Sequence, residues 1–334
     1  MSTLTAPSFA ALLQSFFSQR LMNQRQASPH TIGSYRDTFR LLLRFAQTRL
    51  EKPPSRFEFS DIDAPLIAAF LDDMEKDRNI AARSRNLRLT AIRSFFRYAA
   101  LEAPEYSAQI QRVLAIPSKR HTRSLINFLN QEEVEALLAA PDQQTWLGRR
   151  DHVLLLLVVQ TGMRLSEMTG LQRCNVTLGT GAHVLVMGKG RKERSIPLTK
   201  RTTAVLKAWM QEPAAGATGF LCPTARGGKL SADAVQYILK KHIATAATKC
   251  SSLTNKRVTP HSLRHTMAME LLQAGVEPVM IALWLGHESV ATTQIYLHAN
   301  LALKESILAK TAMPDGTPGR YRPNDQLLDF LKSL

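Results

Sequence analysis

Breaks at Ser28-Pro29, Pro53-Pro54 and Pro104 divide the first 115 residues into pieces whose length suits helices packed side by side. Proline lacks the N–H that a helix interior needs, and its ring clashes with the preceding turn, so each break closes one helix or opens the next. Between the breaks, apolar residues recur three and four apart. Thr31, Tyr35, Phe39, Leu42, Leu43 and Phe45 make up one such stripe. The pattern from Ser8 to about Ala115 predicts four or five short helices.

Beyond that point the pattern changes. Ile116 to Ser124 is polar and basic, holds one proline and has no apolar period, as a linker does. Asn130 is placed to cap a new helix, with Glu133 three residues on to complete a capping box. Asp151 to Gln160 reads as a buried helix. Thr161-Gly162-Met163 then reads as a turn that delivers Arg164 close to a helix carrying Ser166, Glu167 and Leu171. His183 to Met187 and Arg194 to Leu198 alternate as strands around Gly188-Lys189-Gly190-Arg191-Lys192, which predicts a β-hairpin. Helices resume from Ser231, and a proline- and glycine-rich stretch from Pro314 to Pro323 precedes a last helix, Asp325 to Leu334. The expected organisation is a helical domain over 1–115, a linker over 116–125, a second domain over 126–313, and a spacer with a tail helix over 314–334. The fold class is mainly α, with a small antiparallel sheet in an α+β second domain.

With 334 residues the chain is long enough for two cores. Lys and Arg total 43 against 27 Asp and Glu, a formal charge of +16, and the excess lies in both halves. A polyanionic partner is the natural reading; a generically basic protein is the alternative. Arg36, Arg40 and Arg44 repeat every fourth residue. Arg78, Arg83, Arg85, Arg88, Arg93 and Arg97 follow with no acidic residue among them, so a helix carrying them repels itself unless an anion lies alongside. Contact with double-stranded DNA is therefore expected at Arg36, Arg40, Arg44, Arg83, Arg85, Arg88, Arg93 and Arg97, against the plainer reading of a solvated face.

Cys174, Cys222 and Cys250 are odd in number and lack a C-x-x-C spacing, which disfavours a disulfide framework or a zinc ribbon and fits a reducing cytoplasm. The longest apolar run, Val153 to Val159, falls far short of the ~20 residues that span a bilayer. No basic segment followed by an apolar stretch opens the chain, so neither a membrane nor secretion is expected.

The chemistry-bearing residues are Arg164, Lys189, His261, Arg264, His287 and Tyr296. Breaking a phosphodiester gathers negative charge on its non-bridging oxygens, and fixed cationic donors lower that barrier. Arginine suits the task because its planar fork binds two phosphate oxygens and keeps its proton. Gly188-Lys189-Gly190 is not a Walker loop, which needs G-x-x-x-x-G-K-[ST] between a strand and a helix. A lysine on a hairpin tip can instead protonate a leaving oxygen. His261 and His265 have the spacing of a zinc helix, but the intervening Glu is missing and no further ligand lies near, so no metal is expected. His261 is better read as a base or hydrogen-bond partner beside Arg264, and His265 as a packed residue.

Thr161-Gly162-Met163-Arg164-Leu165-Ser166-Glu167, the Gly-Lys-Gly hairpin, His261-Ser262-Leu263-Arg264-His265, and Leu285-Gly286-His287 through Tyr296 together resemble the tyrosine recombinase (phage integrase) family over most of residues 125 to 300. Ser28 to Phe45 and Ser84 to Tyr98 look more loosely like the family's helical, SAM-like core-binding domain, in a compact Xer-like layout. The resemblance implies a site-specific recombinase or integrase in which Tyr296 attacks the scissile phosphate to form a 3′-phosphotyrosyl link, with no cofactor or metal. Arg164 and Arg264 would clamp the non-bridging oxygens. His287 would donate a further hydrogen bond, Lys189 would protonate the leaving 5′ oxygen, and His261 would assist proton removal from Tyr296. Tyr237 and Tyr321 compete for the nucleophile's role, but neither stands nine residues past a Leu-Gly-His turn. The resemblance also implies a homo- or hetero-tetramer on paired sites, with the tail helix Asp325 to Leu334 a candidate for docking on a neighbouring protomer. Movement of a mobile element is the preferred role; plasmid or chromosome dimer resolution and type IB topoisomerase-like relaxation are the alternatives.

Overall fold

A computed structural model describes residues 8–121, 127–188, 192–212, 219–287, 289, 292, 293 and 296. Lys189, the 314–323 spacer and the tail helix lie outside these residues. The chain divides into two compact units, 1–123 and 124–334.

In the first unit Ser28-Pro29 opens an α-helix, whereas Pro53-Pro54 and Pro104 stand just past the ends of two others and open short 3-10 turns. Ser8 caps α1 (Phe9–Ser15), which runs on as π-helix through Gln24; Ser28 caps α2 (Pro29–Leu50), with Pro29 in its first turn; Asp63 caps α3 (Ala64–Lys76). Each cap oxygen accepts an N–H that the helix itself leaves unpaired. α4 (Ala82–Glu102) and α5 (Ser107–Ala115) complete the unit. There are thus five α-helices among the described residues of the unit, but α2 and α4 have 22 and 21 residues, longer than the short pieces expected, because no proline interrupts either. Phe95 stands at the centre of the core, with Phe9, Phe16 and Phe39 meeting it edge-on at 5.6, 5.6 and 5.4 Å.

The α4 arginines require a correction. Arg85 is only 5% exposed: its Nε lies 3.5 Å from Glu75 of α3, and its Nη1 donates to the Pro117 carbonyl. Arg88 donates to Thr38 of α2, and Arg93 to Ser118 and the Ile116 carbonyl. The anion expected alongside this helix is in part a neighbouring helix's carboxylate, which no local window of sequence reveals. These three side chains hold the unit together. Arg36, Arg40, Arg44, Arg83 and Arg97 remain exposed, with Asp37 paired to Arg36 and Arg40. The same bonds, with Asn86 gripping the Lys119 backbone at both N and O, fasten residues 116–119 along α4, so the first part of the expected linker belongs to the first unit.

The second unit begins with α6 (Gln131–Leu138), whose Asn130 and Glu133 exchange the two capping-box hydrogen bonds. α7 (Trp146–Thr161) is apolar all round from Val153 to Val159 and buried all round, packed by α6, by α9 (Lys200–Met210) and by α11 (Pro260–Gln273). The expected helix is thus present and extends five residues further at its N-terminal end and one at its C-terminal end. α8 (Leu165–Gly170) follows, then a three-stranded antiparallel sheet of β1 (Val176–Thr177), β2 (His183–Met187) and β3 (Glu193–Pro197) in that order. Pairing of Val184 with Ile196 and of Val186 with Arg194 turns the Val184, Val186 and Ile196 side chains into the core. α10 (Ala232–Ala247) and α12 (Pro278–Leu285) are its remaining α-helices among the described residues. Among the described residues no helix is long and apolar enough to cross a membrane.

Candidate active site

The end of α12 organises the site. A helix leaves its last carbonyls without intrahelical partners, and those oxygens carry the negative end of the helix dipole. Here three consecutive carbonyls are satisfied by three arginines: Trp284 O accepts from Arg194 Nε at 3.0 Å, Leu285 O from Arg264 Nη2 at 2.6 Å, and Gly286 O from Arg164 Nη2 at 2.6 Å. Gly286 has φ +65°, and a Cβ there would lie 2.8 Å from Arg194 Nη1, so the turn and the approach of Arg194 both require glycine.

Arg164 arrives by a second glycine turn. Gly162, at φ +60°, ends α7, and its carbonyl accepts from Arg264 Nη1 at 2.7 Å. A Cβ at Gly162 would lie 2.7 Å from Leu285 Cδ2. Arg164 then caps α8: its N–H donates to Glu167 Oε2 and its Nη1 to Oε1, at 2.7 and 2.8 Å. Arg194 makes a bidentate pair with the same carboxylate at 3.0 and 2.8 Å. One of the expected cations, Arg164, and a further one from β3 are thereby fixed on one buried acid, while Arg264 is fixed by carbonyls.

Arg164, His261 and Arg264 line one cleft of about 350 Å³ together with Met163, Leu165, Gln236, Thr259 and Pro260. Arg264 is 3% exposed; burial and then the Arg164 charge bring it down to about 10, so it remains fully charged at neutral pH. Burial alone would raise Glu167, but the Arg194 hydrogen bonds and the Arg164 backbone N–H set it below the usual carboxylate range. Arg164 and Arg194 pair with the one carboxylate while Arg264 is held by backbone carbonyls alone, which leaves unbalanced positive charge where an anion fits.

His287 follows the α12 turn, and its Nδ1 pairs with Thr293 Oγ1 at 2.8 Å. Tyr296 is 1% exposed, packed on Ala268, Met269 and Leu272 of α11 and on Ile281 and Leu285 of α12; its hydroxyl lies 2.8 Å from His265 Nδ1. Tyr237, by contrast, is 71% exposed on α10. Burial, followed by the charge of Arg264, pushes His287 down to about 4; burial, His261 and Arg264 do the same to His265, and burial pushes Tyr296 up to about 12. Among the described residues no group of three or more His, Cys, Asp or Glu is arranged to hold a metal ion.

Glu167 and Arg194 escaped the sequence reading as site residues, as did the His265–Tyr296 contact. Two signals were present: a Glu three residues past the Arg164 cap position, and a charged residue two before Ile196 on the core side of a strand.

Both histidines bear on stability. Their folded values of about 4 lie below the unfolded value of about 6.5, so their contribution is complete above pH 6.5 and is lost as pH falls toward 4. Glu167, whose value is lowered from 4.5, acts only at the acid end of that window. Denaturant unfolding of the DNA-free protein should therefore weaken between pH 6.5 and 4.5; a midpoint constant over that range would contradict two buried neutral imidazoles.

Residues 127–302 match the phage integrase family, and residues 14–103 match the phage integrase N-terminal SAM-like domain. A protein of Sinorhizobium fredii described as integrase/recombinase y4rC is 66% identical over 98% of both chains. Tyrosine recombinase XerC of Pelobacter propionicus is 32% identical, over 85% of this chain and 90% of its own. The solved structure of the XerH site-specific recombinase bound to palindromic difH substrate superposes with a TM-score of 0.68 at 23% identity, over 85% of this chain and 81% of that one, a likeness of fold.

Proposed function

The chain belongs to the phage integrase family, and from that premise we propose that it is a tyrosine-type site-specific recombinase that cuts and rejoins double-stranded DNA. The observation that carries this reading is the seating of Arg164 and Arg264 on consecutive carbonyls at the end of α12, with both guanidiniums and His261 on one cleft. A phosphodiester there meets donors fixed before it arrives, so little reorganisation is needed as charge builds. Tyr296 Oη attacks phosphorus, the bond to the 5′ oxygen breaks, and a 3′-phosphotyrosyl ester forms. Its energy is kept for the reverse step, so no ATP is consumed. Arg164 and Arg264 hold the non-bridging oxygens, His287 donates a further hydrogen bond, His261 assists proton removal from Tyr296, and Lys189 gives the leaving 5′ oxygen its proton. The exposed Arg36, Arg40, Arg44, Arg83 and Arg97 contact backbone phosphates.

Strand exchange between two duplexes needs four active sites, so the working form is a tetramer on paired sites, acting in the cytoplasm. We place it with a mobile element rather than with dimer resolution, in keeping with the integrase/recombinase relative. The test is a pair of supercoiled plasmids, one carrying two copies of the DNA sequence the protein protects and one carrying none. Recombinant products from the first alone are expected; relaxation of both without exchange would assign a topoisomerase instead. Arg164→Ala and Arg264→Ala should each raise the cleavage barrier by about 3 kcal/mol or more, as loss of one oxyanion donor does, a rate loss of roughly a hundredfold. Unchanged single-turnover cleavage in either variant would reject the clamp.

A further inference from the structure

His265 lies four residues past His261, on the same face of α11, with its ring 4.1 Å from that of His261 and its Nδ1 2.8 Å from the Tyr296 hydroxyl. His261 lines the cleft, whereas neither His265 nor Tyr296 does. Counting inward from the cleft, the order is His261, His265, then Tyr296, whose ring is sunk among Ala268, Met269, Leu272, Ile281 and Leu285. A phenol buried to this depth requires an acceptor for its proton. Held down to about 4 by burial and by His261 and Arg264, His265 is uncharged at neutral pH and has one nitrogen free to accept. Tyr296 is then the donor, which assigns the imidazole proton to Nε2.

We propose that His265 is a positioning residue for the nucleophile: with no DNA bound, its Nδ1 accepts the Tyr296 O–H and holds the phenol in the apolar layer between α11 and α12, and attack begins when that hydrogen bond is given up. The proposal rests on Tyr296 being the nucleophile. Its geometric basis is that the hydroxyl is engaged behind the cleft wall, so the oxygen that must reach phosphorus starts from a closed position. A phosphate entering against His261 and Arg264 meets the two groups that flank His265, which links release to occupancy of the cleft. The role differs from that of a base: a base keeps its contact with the phenol during attack, whereas this contact opposes attack.

The full-length protein tests this in two assays: tyrosinate absorbance on raising pH without DNA, and single-turnover adduct formation on a nicked duplex carrying the sequence the protein protects. His265→Phe keeps a ring and removes the acceptor, while His265→Asn keeps an oxygen where Nδ1 stood. His265→Phe should let the phenol leave its apolar layer and, with burial relieved, ionise nearer the ordinary value of about 10. It should also speed adduct formation about fivefold, the shift released by one ordinary hydrogen bond. His265→Asn should behave as wild type in both assays. A slower or unchanged adduct rate in His265→Phe with DNA binding intact overturns the proposal. Should that variant not fold, the imidazole nitrogen resonances of His265 decide: Tyr296→Phe must shift them in the DNA-free protein, and no shift overturns the contact. Tyr296→Phe run in the adduct assay separates the two readings, because an adduct from it rejects Tyr296 itself, whereas none from it beside an unaltered His265→Phe rejects the positioning role alone.

Discussion

Tyr296→Phe is expected to leave no protein covalently joined to a nicked DNA substrate while DNA binding stays close to wild type. The substitution deletes one oxygen and keeps the ring that packs on Met269, Leu272, Ile281 and Leu285. What is lost structurally is the single hydrogen bond to His265, on the order of 1 kcal/mol, too little to unfold a unit of this size. Chemically the loss is total, since the ring carbon left behind cannot attack phosphorus. The cationic cleft is untouched: Arg164 and Arg264 are held by Glu167 and by backbone carbonyls, none of which involves the phenol. The measurement is denaturing electrophoresis of a suicide-substrate reaction beside a binding titration. Trapped protein from the variant would move the nucleophile elsewhere, with Tyr237 and Tyr321 as the remaining tyrosines of that half. Loss of binding together with cleavage would make Tyr296 a structural residue.

The parts of this molecule that were legible in the sequence are those governed by local rules. Helix starts followed from Ser28-Pro29 and from Asn130 with Glu133, because a cap and its recipient N–H lie three residues apart. The β-hairpin followed from alternation on either side of a glycine-rich turn, with a one-residue shift at the second strand. Order and residue type single out Arg164, His261, Arg264, His287 and Tyr296 as candidates, and the first three line one cleft. What stayed hidden is where one element reaches another. Nothing near Arg85 in the chain announces that Glu75 faces it across two helices, and nothing near Arg194 announces Glu167. A charge counted as free along one helix can be satisfied from the next, so composition overstated the arginines open to DNA on α4. His265 was read as packing because its partner stands 31 residues on, beyond any helical spacing.

The same long-range network yields the largest expected effect on stability. Glu167→Ala should destabilise the protein by about 3–5 kcal/mol, the range for removing one partner of a buried ion pair, because it leaves a charge without compensation. The Glu167 side chain is 3% exposed, against 12% for Arg194 and 32% for Arg164, so water can rehydrate Arg164 in part but Arg194 hardly at all. Arg264 already stands depressed by burial and by Arg164, and deleting the carboxylate removes an opposing charge from it as well. The loss therefore falls on all three cations that cap α12, and the turn bearing His287 loosens with them. Glu167→Gln isolates the charge: it keeps the volume and an acceptor for the Arg164 N–H, but not the balance of charge, and should fall between wild type and alanine. Cleavage should fail in Glu167→Ala even at temperatures where the variant is folded, since Arg164 loses the contact that aims it. A polyanion should restore more stability to Glu167→Ala than to wild type, because phosphate supplies the missing negative charge. Urea unfolding with and without duplex DNA measures both terms. Equal midpoints for Glu167→Ala and wild type would mean that Arg164 and Arg194 do not depend on this carboxylate.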